Sequence, residues 1–133
     1  MKLSQSVAYA VHATLQLAAH HNGSPVSCSR LAEQGKMPER FLLQILRDLA
    51  KQGILQSTRG GGGGFVLDRP PEEITLLEVI EAVEGPMTAA LPLKASFPDS
   101  AGERLYGVLH EITAETRRQL QAIKLSDLAR GAS

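Results

Sequence analysis

Residues 56–66 read "QSTRGGGGGFV", with five consecutive glycines, Gly60–Gly64, between an arginine and a phenylalanine. Ordering glycine costs more backbone entropy than ordering any other residue. A run of glycines is therefore favoured where the chain must turn tightly or approach another group closely. Three structures are consistent with the run: a phosphate-binding loop, a flexible linker between domains, and the tip of a β-hairpin.

The flanking residues favour the hairpin. Phosphate-binding loops of both common kinds lead directly into a helix, whereas Phe65-Val66-Leu67 has the composition of a strand. A linker needs a folded unit on each side, and only 59 residues precede Gly60. Residues 54–59 are also strand-like, so the glycines are predicted to join two antiparallel strands.

Three helices are predicted before this hairpin, over residues 4–20, 27–35 and 38–52. The first has apolar residues every three or four positions. Ser27 can cap the second helix, and Pro38 suits the first turn of the third. Two short helices joined by a glycine-containing turn are typical of a helix-turn-helix, and the hairpin after them makes the arrangement a winged helix.

The third helix has two different faces at 100° per residue. One face is apolar and is predicted to pack against the core: Phe41, Leu42, Ile45, Leu46 and Leu49. The opposite face is polar and mostly basic: Lys36, Arg40, Leu43, Gln44, Arg47 and Lys51. An ordinary amphipathic helix with solvated charges would look similar. The third helix of the chain is the second helix of the helix-turn-helix and precedes a hairpin that bears Arg59. This position favours a recognition helix.

The second half of the chain is predicted to end in a long helix. Thr75 and Glu78 form a capping box for a short helix, and residues 87–98 are predicted to form a loop. A second capping box, Ser100 with Glu103, begins a helix of about 20 residues. Its near-heptad stripe comprises Leu105, Leu109, Ile112, Thr116, Leu120 and Ile123. Such a stripe is typical of a helix that pairs with its own copy, although packing on its own core is the alternative.

Composition excludes several classes of protein. The chain has 133 residues, 43% of them hydrophobic, and no apolar run long enough for a signal peptide or membrane span. A cytoplasmic protein is therefore expected. The single cysteine, Cys28, excludes an intramolecular disulfide and a Cys-x-x-Cys site. His110-Glu111 lacks the second histidine of a zinc-protease motif, and no nucleophile with a matched base is evident. Neither an enzyme nor a metal site is expected.

Charge is distributed unevenly along the chain. Residues 1–69 contain eight Lys/Arg and four Asp/Glu, whereas the remainder contains six and ten. The basic first half is suited to a polyanion. We divide the chain into a DNA-binding domain over residues 1–85 and a loop, dimerisation helix and tail over residues 86–133.

One long segment carries a resemblance to a known family. Residues 31–85, "LAEQGKMPERFLLQILRDLAKQGILQSTRGGGGGFVLDRPPEEITLLEVIEAVEG", resemble the Rrf-two family of bacterial winged-helix transcriptional regulators. The opening "KLSQSVAYAVHATLQLA" and the closing "IKLSDLA" match as well. The resemblance implies a mainly α fold with a small β-hairpin, in which a winged helix-turn-helix is followed by a long C-terminal dimerisation helix. It also implies a homodimeric regulator, expected to be a repressor, that binds double-stranded DNA at an inverted repeat.

The resemblance also assigns roles to residues. Arg40 and Gln44 fall on recognition-helix positions, and Arg59 falls on a wing arginine that enters the minor groove. Arginine can bridge guanine, glutamine can pair with adenine, and Leu43 could meet a thymine methyl. Phosphate contacts are expected from Lys36, Arg47 and Lys51, with the backbone of Gly60, Gly61 and Gly62 lying against the DNA. The alternative is a protein-interaction adaptor that acts through a partner protein.

Two departures from the family limit the resemblance. Gly61 stands where the family usually has proline. Sensor members also carry three cysteines in the loop before the long helix, and residues 86–101 contain none. An iron-sulfur cluster is therefore not implied, and no cofactor is expected. Any effector is expected to be a small molecule or a protein, and no membrane partner is expected.

Overall fold

The computed structural model describes residues 1–20, 23–60, 63–89 and 97–129. These residues contain six α-helices and one β-hairpin. The elements in chain order are α1 Gln5–Ala19, α2 Cys28–Gly35, α3 Glu39–Lys51, β1 Leu55–Thr58, β2 Gly64–Leu67, α4 Leu76–Glu84, α5 Ala101–Gln121 and α6 Leu125–Ala129, with a 3-10 turn over Pro71–Glu73. This architecture confirms the mainly helical winged-helix fold. Within these ranges, no helix has the length and apolarity needed to cross a bilayer.

The first two helices begin where the sequence predicts. The Ser4 hydroxyl accepts a hydrogen bond from the Val7 N–H at 3.2 Å, and the Ser27 hydroxyl accepts one from the Arg30 N–H, also at 3.2 Å. Each serine therefore satisfies a backbone donor that the first helical turn leaves unpaired. The third helix starts one residue later than predicted, because Pro38 is its N-cap and not part of its first turn.

One main core joins α1, α2, α3 and the hairpin. The largest side chains that it buries completely are leucines and isoleucines: Leu31, Leu42, Leu46, Leu49, Ile54, Ile74 and Leu125. A smaller cluster of Val7, Leu77, Ile80 and Leu120 joins α1, α4 and the end of α5. The third helix, α3, packs against α1, α2, α4 and β1 of the same chain, which fixes its orientation.

Two backbone pairings were not predicted. Val26 and Phe65 exchange both backbone hydrogen bonds, at 3.0 and 2.9 Å, so the segment before α2 is fastened to the hairpin. At the other end, the Leu76 N–H donates to the Ile123 carbonyl at 2.8 Å, and the Leu125 N–H donates to the Ile74 carbonyl at 2.9 Å. The chain therefore returns after α5 to the start of α4, where Leu125 enters the main core.

The two predicted capping boxes have different outcomes. At α4 the box forms: Glu78 N–H donates to the Thr75 hydroxyl at 3.1 Å, and the Thr75 N–H donates to the Glu78 carboxylate at 2.8 Å. At α5 it does not form. Ser100 has φ −102° and ψ 23°, which is not the extended conformation that a capping serine uses, and its hydroxyl accepts from Arg104 at 2.6 Å.

Glu78 gives the first testable prediction. Burial raises the pKa of its carboxyl, but hydrogen bonds from Thr75 and Arg69 and the charge of Arg69 outweigh burial, so the pKa lies below its ordinary value. A depressed folded pKa stabilises the fold above the unfolded value, and this contribution is lost as pH falls through the folded value. Glu78→Gln, which can still cap α4, is expected to cost about 0.5–1 kcal/mol at neutral pH.

Urea unfolding at several pH values checks this prediction. The difference between Glu78→Gln and the unmodified chain should shrink as the pH falls through the lowered folded pKa of Glu78, and disappear once that carboxyl is protonated in the folded state. Glu72→Gln removes a charge from an exposed neighbour and is the control. A difference that persists unchanged at low pH would show that the effect comes from packing and not from charge.

Candidate nucleic-acid interface

A narrow polar stripe runs along the outer side of α3. It consists of Arg40, Gln44, Arg47 and Lys51, all of them exposed. Their spacing of four, three and four residues places them within about 60° of one another around the helix axis. The side chains of Leu42, Ile45, Leu46 and Leu49, which lie opposite, are buried. The apolar residues therefore anchor the helix and hold three cations in one row facing solvent.

The two residues at the edges of this stripe differ from the sequence prediction. Phe41, expected to pack in the core, is 48% exposed and meets the Tyr9 ring edge-on at 5.9 Å. Leu43, expected to be exposed, is half-buried and packs against the core. Phe41 lies about 60° beyond Gln44 around the helix, and Leu43 lies about 40° beyond Arg47 on the other side, at the boundary between core and solvent. Leu43 consequently offers only part of its side chain to a partner.

Gln44 already has a partner within the helix. Its side-chain amide donates to the carboxylate of Asp48 at 3.2 Å, one turn further along. Asp48 is half-buried and lies beside the row of cations. To hydrogen-bond a base edge, Gln44 must release or share this contact with Asp48.

The turn before α3 places Lys36 at the edge of the stripe. Lys36 has a left-handed backbone, with φ 53°, and its side chain is exposed. Met37 is buried behind it and anchors the turn. This conformation, which is uncommon for a residue other than glycine, allows the chain to reverse sharply between α2 and α3.

The hairpin carries Arg59 at its tip. Leu55 pairs with Leu67 and Thr58 with Gly64. Arg59 is exposed directly after β1. Gly60 is exposed with φ 104°, and its carbonyl accepts the Gly63 N–H at 2.9 Å, which closes the tip. Gly61 and Gly62, also predicted to contact DNA, lie outside the described residues.

The predicted dimer stripe on α5 divides into two parts. Leu105 and Ile112 are 38% and 57% exposed, and Leu109 and Thr116 are half-buried. Leu120, in contrast, is buried in its own chain's smaller cluster. Ile123 lies beyond the end of α5, where its carbonyl accepts a hydrogen bond from Leu76. Ile123 was predicted to lie on the long helix, and the structure places it outside that helix.

One exposed apolar residue on α5 was missed. Val108, 54% exposed, follows Leu105 by three residues and precedes Ile112 by four. It extends the stripe toward the helix side occupied by Glu111 and Glu115. The near-heptad count omitted it because the pattern from Leu105 steps directly to Leu109. Val108 could have been recognised from its spacing, because residues three and four apart lie on the same side of a helix.

The described residues do not fit an iron site. Nowhere in residues 1–20, 23–60, 63–89 or 97–129 do three or more His, Cys, Asp or Glu side chains group closely enough to hold a metal ion. Cys28 lies on α2, where its thiol donates to the Glu39 carbonyl at 3.6 Å. Burial and the charge of Glu39 raise the pKa of this thiol, although Arg47 lowers it, so the thiolate that binds metal is disfavoured.

Comparisons with known proteins agree with the winged-helix fold. Residues 3–131 match the Rrf2 family model, described as an iron-dependent transcriptional regulator. An HTH-type transcriptional regulator of Mycobacterium tuberculosis is 34% identical over 137 residues, covering 99% of this chain and 83% of that protein. The structure of CymR, the global cysteine regulator of Bacillus subtilis, superposes with TM-score 0.78 at 28% identity, covering 98% and 97% of the two chains. T. potens IscR superposes with TM-score 0.75 at 28% identity, covering 100% and 89%.

Proposed function

The chain belongs to the Rrf2 family and is a DNA-binding transcriptional regulator, and we propose that it acts as a cytoplasmic homodimer that represses transcription by binding an inverted repeat. We further propose that residues 1–85 carry the DNA contacts and that α5 carries the assembly. The observation that supports this best is the row of Arg40, Gln44, Arg47 and Lys51 on the exposed side of α3.

Position along α3 suggests different roles for these residues. In helix-turn-helix proteins the N-terminal residues of the recognition helix reach the base edges. Arg40 is the second residue of α3, and Gln44 lies one turn later. Arg40 is therefore proposed to bridge guanine O6 and N7, and Gln44 to pair with adenine after leaving Asp48. Arg47 and Lys51, further along the helix, are proposed to bind phosphates, as is Lys36 before it.

The wing is proposed to add a contact in the minor groove. Arg59 extends from the hairpin tip, and arginine is favoured where the groove is narrow and its potential is most negative. The glycines beside it add no side chain, so the backbone can approach the phosphates closely. Leu43, half-buried at the edge of the stripe, is proposed to make at most a partial contact with a thymine methyl.

Dimerisation is proposed to use the exposed apolar part of α5. Leu105, Val108, Leu109 and Ile112 project from successive turns of the helix, and Thr116 continues the same stripe. Pairing of two such stripes would relate two recognition helices by a two-fold axis. The half-sites should then lie about one helical turn of DNA, or a multiple of it, apart.

Substituting the two arginines separately tests the proposed DNA face. Arg40→Ala is expected to cost about 1–3 kcal/mol of binding free energy and to relax the preference at one base position. Arg47→Ala should weaken binding to all sequences alike. It should also make the negative slope of log K against log salt less steep by about 1. Fluorescence anisotropy with sites selected from random DNA, repeated at several salt concentrations, measures both quantities.

Arg104→Ala is the matched control, because it removes an exposed arginine from α5 and leaves α3 unchanged. Its DNA affinity should equal that of the unmodified chain. Equal affinity for Arg40→Ala and Arg47→Ala as well would show that α3 does not contact DNA. The adaptor hypothesis has no specific observation in its favour, whereas a row of exposed cations on a recognition helix is suited to a polyanion.

A further inference from the structure

A cavity of about 540 Å³ lies between α5 and residues 86–89, away from the α3 stripe and the wing. This volume falls within the range of small-molecule binding sites. Tyr106, His110, Thr113 and Arg117 line it from α5 and repeat at four, three and four residues. They form one continuous wall along three turns of the helix.

Apolar groups and cations occupy different parts of this wall. The rings of Tyr106 and His110 stack with centroids 6.0 Å apart and 22° between their planes. Met87 and Ala114 add apolar surface beside them. Arg117 follows His110 by seven residues, or about 10 Å along the helix, and Arg118 lies next to it. The cavity therefore has an aromatic region on its α5 wall and, about two helical turns further along the helix, two arginine side chains.

The cavity offers hydrogen-bond donors that are suited to an anion. Among its described lining residues are two arginines and neither Asp nor Glu. Arg117 donates to Glu81 on α4, and Arg118 donates to Glu115 on α5. A guanidinium has five N–H donors, so these contacts leave donors available on both side chains. A guanidinium group can bind a planar carboxylate through two parallel N–H···O hydrogen bonds.

The cavity does not coincide with the proposed dimer interface. Each residue of its α5 wall follows a residue of the apolar stripe by one position: Tyr106 follows Leu105, His110 follows Leu109, and Thr113 follows Ile112. One position corresponds to a rotation of about 100° around the helix. The two faces of α5 are therefore adjacent and distinct.

We propose that this cavity binds a small organic monocarboxylate with a flat apolar body about two rings long. The carboxylate binds Arg117 and Arg118, and the body lies against Tyr106, His110 and Met87. Glu81, which holds Arg117, also accepts the Met87 N–H at 2.7 Å. A bound carboxylate competes with Glu81 for Arg117 and so weakens the ion pair that joins α4 to α5. Any effect of the ligand on transcription rests on the proposed function, whereas binding itself does not.

Calorimetric titration of the full chain without DNA tests the site. Naphthoate is the probe, and naphthamide is its neutral counterpart of the same shape. We expect saturable binding of naphthoate and at least tenfold weaker binding of naphthamide. Arg118→Gln and Ala114→Phe, which remove a cation and fill the cavity, should each weaken naphthoate binding at least tenfold. Arg104→Gln, an equal loss of charge outside the cavity, should leave it unchanged.

Several outcomes would overturn the proposal. Equal binding of naphthoate and naphthamide, or binding of neither, would exclude selection of a carboxylate. Unchanged affinity in both Arg118→Gln and Ala114→Phe would place the ligand elsewhere. Binding seen only after Ile112→Asp would show that a second copy of the chain fills the cavity. Arg118 is chosen because Arg118→Gln preserves the Glu81–Arg117 contact, so these results do not depend on a disturbed fold.

Discussion

Replacing Ile112 with aspartate is expected to make the protein monomeric at micromolar concentration and to weaken its binding to an inverted repeat by about 100-fold or more. Ile112 is 57% exposed near the middle of the apolar stripe on α5. A carboxylate there would have to lose its water shell inside the proposed interface without gaining a partner. Separate monomers would also lose the avidity that comes from linking two recognition helices.

The monomer should stay folded, because Ile112 belongs to neither buried cluster. Light scattering gives the mass, circular dichroism checks the helix content, and anisotropy gives the DNA affinity. Gly107→Asp adds the same charge about 140° away on α5, where an added Cβ meets nothing within 4 Å. This variant should remain dimeric. A dimeric Ile112→Asp protein would mean that the chains associate through another surface.

Gly64→Ala is expected to destabilise the fold by about 3 kcal/mol or more. Gly64 has φ 156°, and a Cβ there would lie 2.5 Å from the Val26 carbonyl oxygen and 2.9 Å from the Ser27 nitrogen. Both are backbone atoms, so neither can move aside by changing a rotamer. Relief of the clash requires separation of the hairpin from Val26, with loss of the two Val26–Phe65 hydrogen bonds.

Gly60→Ala separates this clash from ordinary backbone strain. Gly60 also has a positive φ, of 104°, but an added Cβ meets nothing within 4 Å. Its cost should be about 1 kcal/mol. Urea unfolding of the two variants under the same conditions gives the comparison. Similar losses for both would indicate that the hairpin moves away from Val26 at little cost.

Elements with a local chemical signal could be predicted from sequence. Ser27, and Thr75 with Glu78, mark helix ends because each satisfies a backbone donor within a few residues. The polar stripe on α3 followed from the same helical period. Ser100 shows the limit of such signals, since the residues of a capping box are present but its hydroxyl binds Arg104 instead.

Features that depend on distant parts of the chain could not be predicted. The Val26–Phe65 pairing involves one residue on each side, so it leaves no alternating pattern to detect. Phe41 and Leu43 lie at the edge of the core, where their exposure depends on neighbours such as Tyr9 and not on helical period. The cavity beside α5 has walls from two separate segments, and sequence spacing gave no indication that they meet.

The return of the chain after α5 sets the order in which the protein can be completed during synthesis. Leu125 fills a place in the main core among residues made much earlier, and the backbone bonds at Ile74 and Leu76 also wait for residues 123–125. While α5 is still within the ribosome, α1 to α4 lack a buried contact and expose apolar surface. Nascent chains must therefore remain incompletely packed until residues 123–125 have been synthesised and have left the ribosome, long after α1 to α4 have emerged.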